Sequence, residues 1–304
     1  PWSPEEAFLQ RRSDSEPDVF RLACRARVLR ADAVVEVETF KRRLDIAVSG
    51  RSAGVAPDPW VRCVDGVVRG RGQRLADHRG PVYGLAVDVG NTTVGMEGIE
   101  LGTGATAATR AFENPQKFGG SDVMHRISYD AARPGQLHRT IIAQLNNTLR
   151  SVPGLASAVF AVTIAGNATM RDLFFDLDVQ SIGQSPYLSS TQADMTAGRR
   201  ESTAVWTTAG ELGLEVHPGA PVYGLPLVSN HVGADMAAVL ATLPLHAHRE
   251  PFVVVDIGTN TEVVVGDRDR IICASCPAGP AFEGWRLSCG MPAADGAITR
   301  LRRS

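Results

Sequence analysis

Apolar and polar positions alternate in blocks along this chain, and the blocks predict an α/β protein. Val82 to Val89 is an apolar strand that runs through Asp88 into Gly90-Asn91-Thr92-Thr93, and Val94 to Leu101 returns as a second strand. A Gly-Thr-Gly turn at 102–104 leads to a third. Helical spacing follows over about 121–131 and 136–150, then an apolar strand over 157–164 and a helix from Asn167 to Phe175. Beyond an irregular region rich in Ser, Thr and Pro (181–203), helices near 203–213 and 231–243 flank a short strand at 221–225. At Pro251 the pattern restarts. Phe252 to Thr261 repeats the first strand and its turn, 168 residues further on when Asp88 is matched to Asp256. Glu262–Gly266 and Arg270–Ala274 then make a second strand pair about an Asp-Arg-Asp turn. The period is far too long for a solenoid and reads as a duplicated domain.

Upstream the texture differs. Residues 1–20 are polar and acidic, and Arg21-Leu22-Ala23-Cys24 leads into the alternating Val34–Glu38, a short strand. Residues 41–80 are dense in Arg, Gly, Pro and Asp, with only Val61 to Val68 apolar enough for a strand or hairpin, and read as a linker.

Composition narrows the class. With 304 residues, 44% of them hydrophobic, the chain is long enough for two ordinary cores. A formal net charge of −2, from 31 basic and 33 acidic residues, creates no overall field for nucleic acid or an anionic membrane. No apolar run approaches the roughly 20 residues needed to span a bilayer, and no secretory signal opens the chain, so the cytoplasm is the expected location. Five cysteines, at 24, 63, 273, 276 and 289, are odd in number and scattered, unlike a secreted disulfide framework. The first residue is Pro1 rather than Met, so further sequence is expected upstream.

The candidate chemistry lies in the two matched turns. An apolar strand ending in Asp and passing into Gly with Thr or Asn makes a tight turn whose amides and hydroxyls can face phosphate oxygens. A carboxylate at the strand end can hold Mg²⁺, commonly through water. One Asp-x-Gly turn is an ordinary hairpin. Two at matched positions, Asp88 with Gly90, Asn91, Thr92 and Thr93, and Asp256 with Gly258, Thr259, Asn260 and Thr261, can clamp a phosphate chain from both sides.

Other residues carry weaker signals. Gly166-Asn167 stands where a strand enters a helix, and Asn167 reads equally as a phosphate-facing or interlobe contact and as an N-cap. Gly279 and Glu283 belong to a Gly-rich loop after a strand, where Glu283 can orient water or simply be a solvated carboxylate. Asp235 opens a helix and is explained by the helix dipole alone. Cys273-x2-Cys276 lacks two further ligands nearby and reads as ordinary cysteine.

The paired turns resemble those of the actin, sugar-kinase and heat-shock-chaperone ATPases, whose two lobes are RNase H-like. More specific strings are Asn114-Pro115-Gln116, Gly120 to Met124, Gly166 to Met170, Asp256 to Glu262, and Ala278 to Gly284 followed by Ser288-Cys289-Gly290-Met291. As a set, over about 81–304, these resemble the ATP-dependent reductive activators of corrinoid proteins. That resemblance implies an α/β fold of duplicated RNase H-like (actin-like ATPase) lobes, the second incomplete, preceded by the tail of a 2Fe-2S ferredoxin-like domain. The expected divisions are 1–40 for that tail, 41–80 for the linker, 81–248 for the first lobe and 249–304 for the start of the second.

It further implies ATP and Mg²⁺ in the cleft, with Asp88 and Asp256 at the metal and Asp88, Asp256 and Glu283 as the catalytic set. Cys24 becomes the orphaned fourth ligand of a 2Fe-2S cluster held only by a longer parent, since this chain has no C-x4-C-x2-C trio. The implied activity is ATP-driven electron transfer from that cluster to Co(II) corrinoid, with the corrinoid protein of a methyltransferase system as partner. Oligomeric state is left open, a homodimer among the options. Trp285-Arg286 departs from the small residues of the family, and Gly95 and Gly98 interrupt the second strand. Two other readings compete: a small-molecule kinase, with Asp172 or Asp178 as base, and a non-catalytic docking module.

Overall fold

The computed structural model describes residues 58–277 apart from 121, 244–249, 259 and 268. All of these fall within one compact unit. Its centre is a six-stranded sheet of order β6-β5-β4-β7-β9-β8, in which β4 is Tyr83–Val89, β5 Thr93–Glu100, β6 Thr106–Glu113, β7 Val159–Gly166, β8 Val205–Thr208 and β9 Pro221–Gly224. β4, β7 and β9 run parallel, while β5, β6 and β8 are antiparallel to their neighbours. Taken from β6 to β9 this is three meandering strands followed by two parallel additions, the RNase H-like order.

A parallel partner for β4 requires a crossover, and α1 (Val123–Ala132) and α2 (Gln136–Arg150) supply it. Helix α2 buries Leu137, Ile141, Leu145 and Leu149 at four-residue spacing, a single stripe against the sheet. Leu85, Val87 and Val89 of β4 and Val162 and Ile164 of β7 meet it in one core. Burial of each such side chain contributes roughly 1.5–3 kcal/mol. Helix α3 (Ala168–Phe174) follows β7 directly and is buried along its whole length.

A second sheet, β10-β11-β12, is an antiparallel meander of Phe252–Ile257, Asn260–Gly266 and Ile271–Pro277. Its inner face, with Phe252, Val254, Val264 and Cys273, packs on Val232 and Met236 at helix α6 (Ala234–Thr242). Val253, Val255, Ile257 and Ile272 on the opposite face are exposed among the described residues.

Three segments differ from expectation. Residues 203–213 are extended over Val205–Thr208, where β-branched residues pair with β9 through Val205 and Gly224, and only α5 (Ala209–Leu212) is helical. Within the Ser/Thr/Pro-rich stretch, α4 (Ser190–Thr196) forms because Ser189 and Gln192 make a reciprocal capping box. The stretch expected as linker carries a three-stranded sheet, β1 (Val61–Val64), β2 (Val67–Gly70) and β3 (Gln73–Asp77). Val61 and Val68 are fully buried against Val82, Phe160 and Ala161. Trp60 adds edge contacts to Trp206 and Tyr223 at 5.0 and 5.3 Å between ring centroids. Sparse apolar residues at the right parity suffice here because the partner surface comes from β7. The tail expected over 1–40 lies outside the described residues, and no helix among the described residues is long and apolar enough to cross a membrane.

Phe160 joins the small sheet to the large one. Phe160→Ala is expected to lower unfolding stability by about 3–5 kcal/mol in urea titration and to expose residues 58–80 to limited proteolysis.

Candidate functional site

The turns that end β4 and β10 open onto one cleft of about 200 Å³. From the first come Asp88, Gly90, Asn91, Thr92 and Thr93, and from the second Asp256, Gly258, Asn260 and Glu262. Asn167 and Asp235 complete the wall. Whole small-molecule sites occupy about 300–1,000 Å³, so these walls enclose a group the size of a phosphate chain with a cation rather than an entire nucleotide.

Hairpin register explains which side chains arrive. In the first hairpin Val89 faces Val94 across a four-residue turn, and Asp88 faces Gly95. In the second, Ile257 faces Thr261 across three residues, and Asp256 faces Glu262. The second turn is one residue shorter, so sequence matching slips after the turn. Thr93 lines the cleft, but Thr261, its match by sequence, is a strand residue paired with Ile257 and is not among the lining residues, and Asn260 takes the place on the cleft wall. The same slip puts Glu262 opposite Asp256, where the first hairpin has a bare glycine.

Glycine is required at two points. A Cβ on Gly90 would lie 2.5 Å from the Thr93 carbonyl oxygen, which closes the turn. One on Gly233 would lie 2.4 Å from Asn167 Cα, which brings the start of α6, and with it Asp235, against the end of β7. Gly166, with φ +151, meets β4 instead, where a Cβ would stand 2.8 Å from the Val89 carbonyl oxygen. It packs behind the cleft rather than lining it.

Asn167 is the N-cap of α3, and its side chain also lines the cleft. Its Oδ1 accepts from Met170 N–H at 3.0 Å as the N-cap of α3, and its Nδ2 donates to Asn91 Oδ1 at 3.0 Å across the cleft wall. Thr259, Gly279, Glu283 and Cys24 lie outside the described residues. Asp172 and Asp178 do not reach the cleft. Asp172 is fully buried and paired with Arg171 and Ser189, and Asp178 is exposed where its carboxylate accepts from Gln180 N–H.

Two acids enter the cleft that the sequence reading did not place there. Asp235 sits in the first turn of α6, accepts from Met236 N–H at 2.8 Å, and also enters the cleft. The dipole explanation remains true but leaves out the cleft, which only the Gly233 contact reveals. Glu262, 5% exposed and held by Ser275 Oγ at 2.9 Å, was legible from strand parity, since Asp256 and Glu262 must share a sheet face.

Burial and neighbouring acids raise three of the carboxylates in the cleft. Asp88 is pushed up to about 6, first by enclosure and then by Asp235 and Asp256. Asp235 and Glu262 are also raised, chiefly by burial and in part by neighbouring acids. Asp88 is nevertheless exposed to solvent at the open mouth of the cleft, and that access screens the effect of its neighbours. Among the described residues no three His, Cys, Asp or Glu side chains stand close enough to chelate an ion alone. The hard oxygen donors fit Mg²⁺, which keeps part of its water and takes one or two carboxylates beside phosphate.

Fold and cleft together define an actin-like protein. Residues 83–248 match the RACo middle region, and residues 250–304 match the C-terminal domain of RACo, the ASKHA domain. The chain belongs to this family, the reductive activators of corrinoid proteins. Corrinoid activation enzyme RamQ of Eubacterium limosum is 31% identical over 228 residues, which cover 73% of this chain and 36% of that protein. A reductase of the Co(II) methylated amine-specific corrinoid protein from Methanosarcina barkeri is 28% identical over 225 residues, 73% of this chain and 41% of that one. The solved structure of a reductive activator for corrinoid, iron-sulfur protein superposes with a TM-score of 0.64 at 29% identity, covering 74% of this chain and 36% of that chain. The chain thus spans about two fifths or less of these relatives.

The raised Asp88 carboxyl gives a signed pH dependence. Its folded value lies above the ordinary 3.8, so its contribution to stability is complete below about pH 4 and is lost as pH rises through about 6. Asp88→Asn is therefore expected to be more stable than the native chain at pH 8 in chelator. After screening by cleft water the gain is about 1 kcal/mol, and it vanishes near pH 4, as read from urea unfolding at both pH values.

Proposed function

We propose that this chain is the nucleotide-operated part of a reductive activator of a corrinoid protein. The observation that carries the reading is the convergence of the Asp88 and Asp256 turns, from two separate sheets, on one cleft of phosphate size. Gly90–Thr93 on one wall and Gly258–Asn260 on the other would bracket the β- and γ-phosphates of ATP. Asp88 and Asp256 would hold the waters of Mg²⁺, and Asp235 and Glu262 would add negative charge that makes cation entry favourable.

Because each wall belongs to a different sheet, a bound MgATP favours the arrangement in which both walls touch it. Its loss or hydrolysis releases that preference, which is how differential binding moves a conformational equilibrium. The names of the relatives support a corrinoid protein as the partner served. The reaction in this reading is one-electron reduction of Co(II) corrinoid to Co(I), an uphill step assisted by ATP.

An iron-sulfur donor finds no site among the described residues. Cys63, Cys273 and Cys276 are free thiols, and no group of cysteines assembles. A 2Fe-2S cluster, which would supply one electron at a time, therefore belongs in this proposal to other parts of the parent protein.

Isothermal titration of the chain with MgATP tests the nucleotide half. Asp88→Asn and Asp256→Asn should each weaken binding by roughly tenfold or more, the effect of removing one charged partner. Binding that ignores both substitutions, or no binding by the native chain, would defeat the assignment. In the full-length parent, the same substitutions should abolish ATP-dependent Co(I) formation followed by absorbance.

A further inference from the structure

Beneath the Gly90–Thr93 turn lies a cation that the proposed function does not use. Arg126 of α1 is 1% exposed. Its Nε donates to the Gly120 carbonyl at 3.1 Å, its Nη1 to Met170 Sδ at 2.9 Å, and its Nη2 to the Asn91 carbonyl at 2.6 Å. No salt bridge reaches it among the described residues, and Asp122 acts on it only at longer range. Burial lowers its pKa to about 10, which still leaves it charged at neutral pH. A buried guanidinium without a carboxylate is unfavourable unless its hydrogen bonds and field do something that an apolar side chain would not.

Its place relative to the turn indicates what that is. Three consecutive carbonyls of the turn are drawn away from the cleft. Gly90 O accepts from Asn114 Nδ2 at 2.7 Å, Asn91 O from Arg126 at 2.6 Å, and Thr92 O from Asn114 N–H at 2.7 Å. In a trans peptide the N–H points opposite to the C=O of the same plane. Tying these carbonyls inward therefore turns the amides that follow them toward the cleft side, as in the backbone nests that receive anions. Asn114 does this with neutral groups. Arg126 does it with a full positive charge, separated from the cleft by one layer of peptide.

We propose that Arg126 is a positioning residue for phosphate: it orients the Asn91 peptide toward the cleft and attracts a polyphosphate through the turn. This rests on the reading of the cleft as a phosphate site. A side chain that merely holds α1 in place would affect every ligand alike, whereas a charge behind the turn acts in proportion to the charge in front of it.

The test is calorimetric titration of the 304-residue chain and its Arg126→Met and Arg126→Lys variants with magnesium tripolyphosphate and with inorganic phosphate, with melting temperatures recorded. Arg126→Met should bind tripolyphosphate about tenfold more weakly, with a smaller loss for inorganic phosphate, and Arg126→Lys should recover part of the difference. Equal affinity in the native chain and Arg126→Met, or equal losses for both ligands, would overturn the role. Should Arg126→Met fail to fold, Arg126→Lys decides: a loss of about threefold or more for tripolyphosphate supports the fork geometry, and native affinity refutes it. A native chain that binds neither ligand removes the phosphate site itself. Native binding that depends on Asp88 but not on Arg126 removes only this proposal.

Discussion

Carboxylates that share a cleft repel one another, and this protein holds four of them together: Asp88, Asp235, Asp256 and Glu262. Asp88, Asp235 and Glu262 are raised first by burial and then by this repulsion. Such an arrangement persists only because the rest of the fold outweighs it. The core of β4, β7 and α2 fixes one wall, and the packing of β10–β12 on α6 fixes the other. In the proposed function a cation entering the cleft would relieve the repulsion, and the same geometry that is unfavourable alone would become a binding determinant.

The two walls are related but not equivalent. Both begin with a strand whose penultimate residue is Asp and a glycine two residues after it, yet their turns differ by one residue. That difference gives the first wall Thr93 and a bare Gly95, and the second Asn260 and Glu262. The first wall is also braced from behind by Asn114 and Arg126, whereas Ser275 braces Glu262 in the second. In the proposed function, one wall is rich in backbone donors and the other in carboxylate. This division suits a ligand with both phosphate and metal.

Much of the fold was legible because hydrophobic period is a local property. The β4–β5 hairpin, α2, β7, and the β10–β12 meander all follow from apolar spacing and turn residues within about fifteen positions. Residues 203–213 misled because four β-branched or aromatic residues next to a capped helical turn satisfy either pattern until β9 is present to pair with them. In the small sheet of 61–77 the hairpin over Val61 to Val68 was legible, but β3 and the packing were not, since the buried side chains gain their burial from Phe160, about a hundred residues away.

For the site, consecutive residues are enough to specify the two Asp-x-Gly turns and the asparagine at the end of β7, because strand ends and glycine positions are local features. Packing is what brings Asp235 to join them, leaves Thr261 out of the lining and sets Arg126 behind Asn91. The physical reason is distance along the chain. Arg126 lies 35 residues from its carbonyl partner, and Asp235 comes from a helix brought in by a glycine contact to Asn167. Such meetings are fixed by how sheets and helices pack, and no local pattern encodes them.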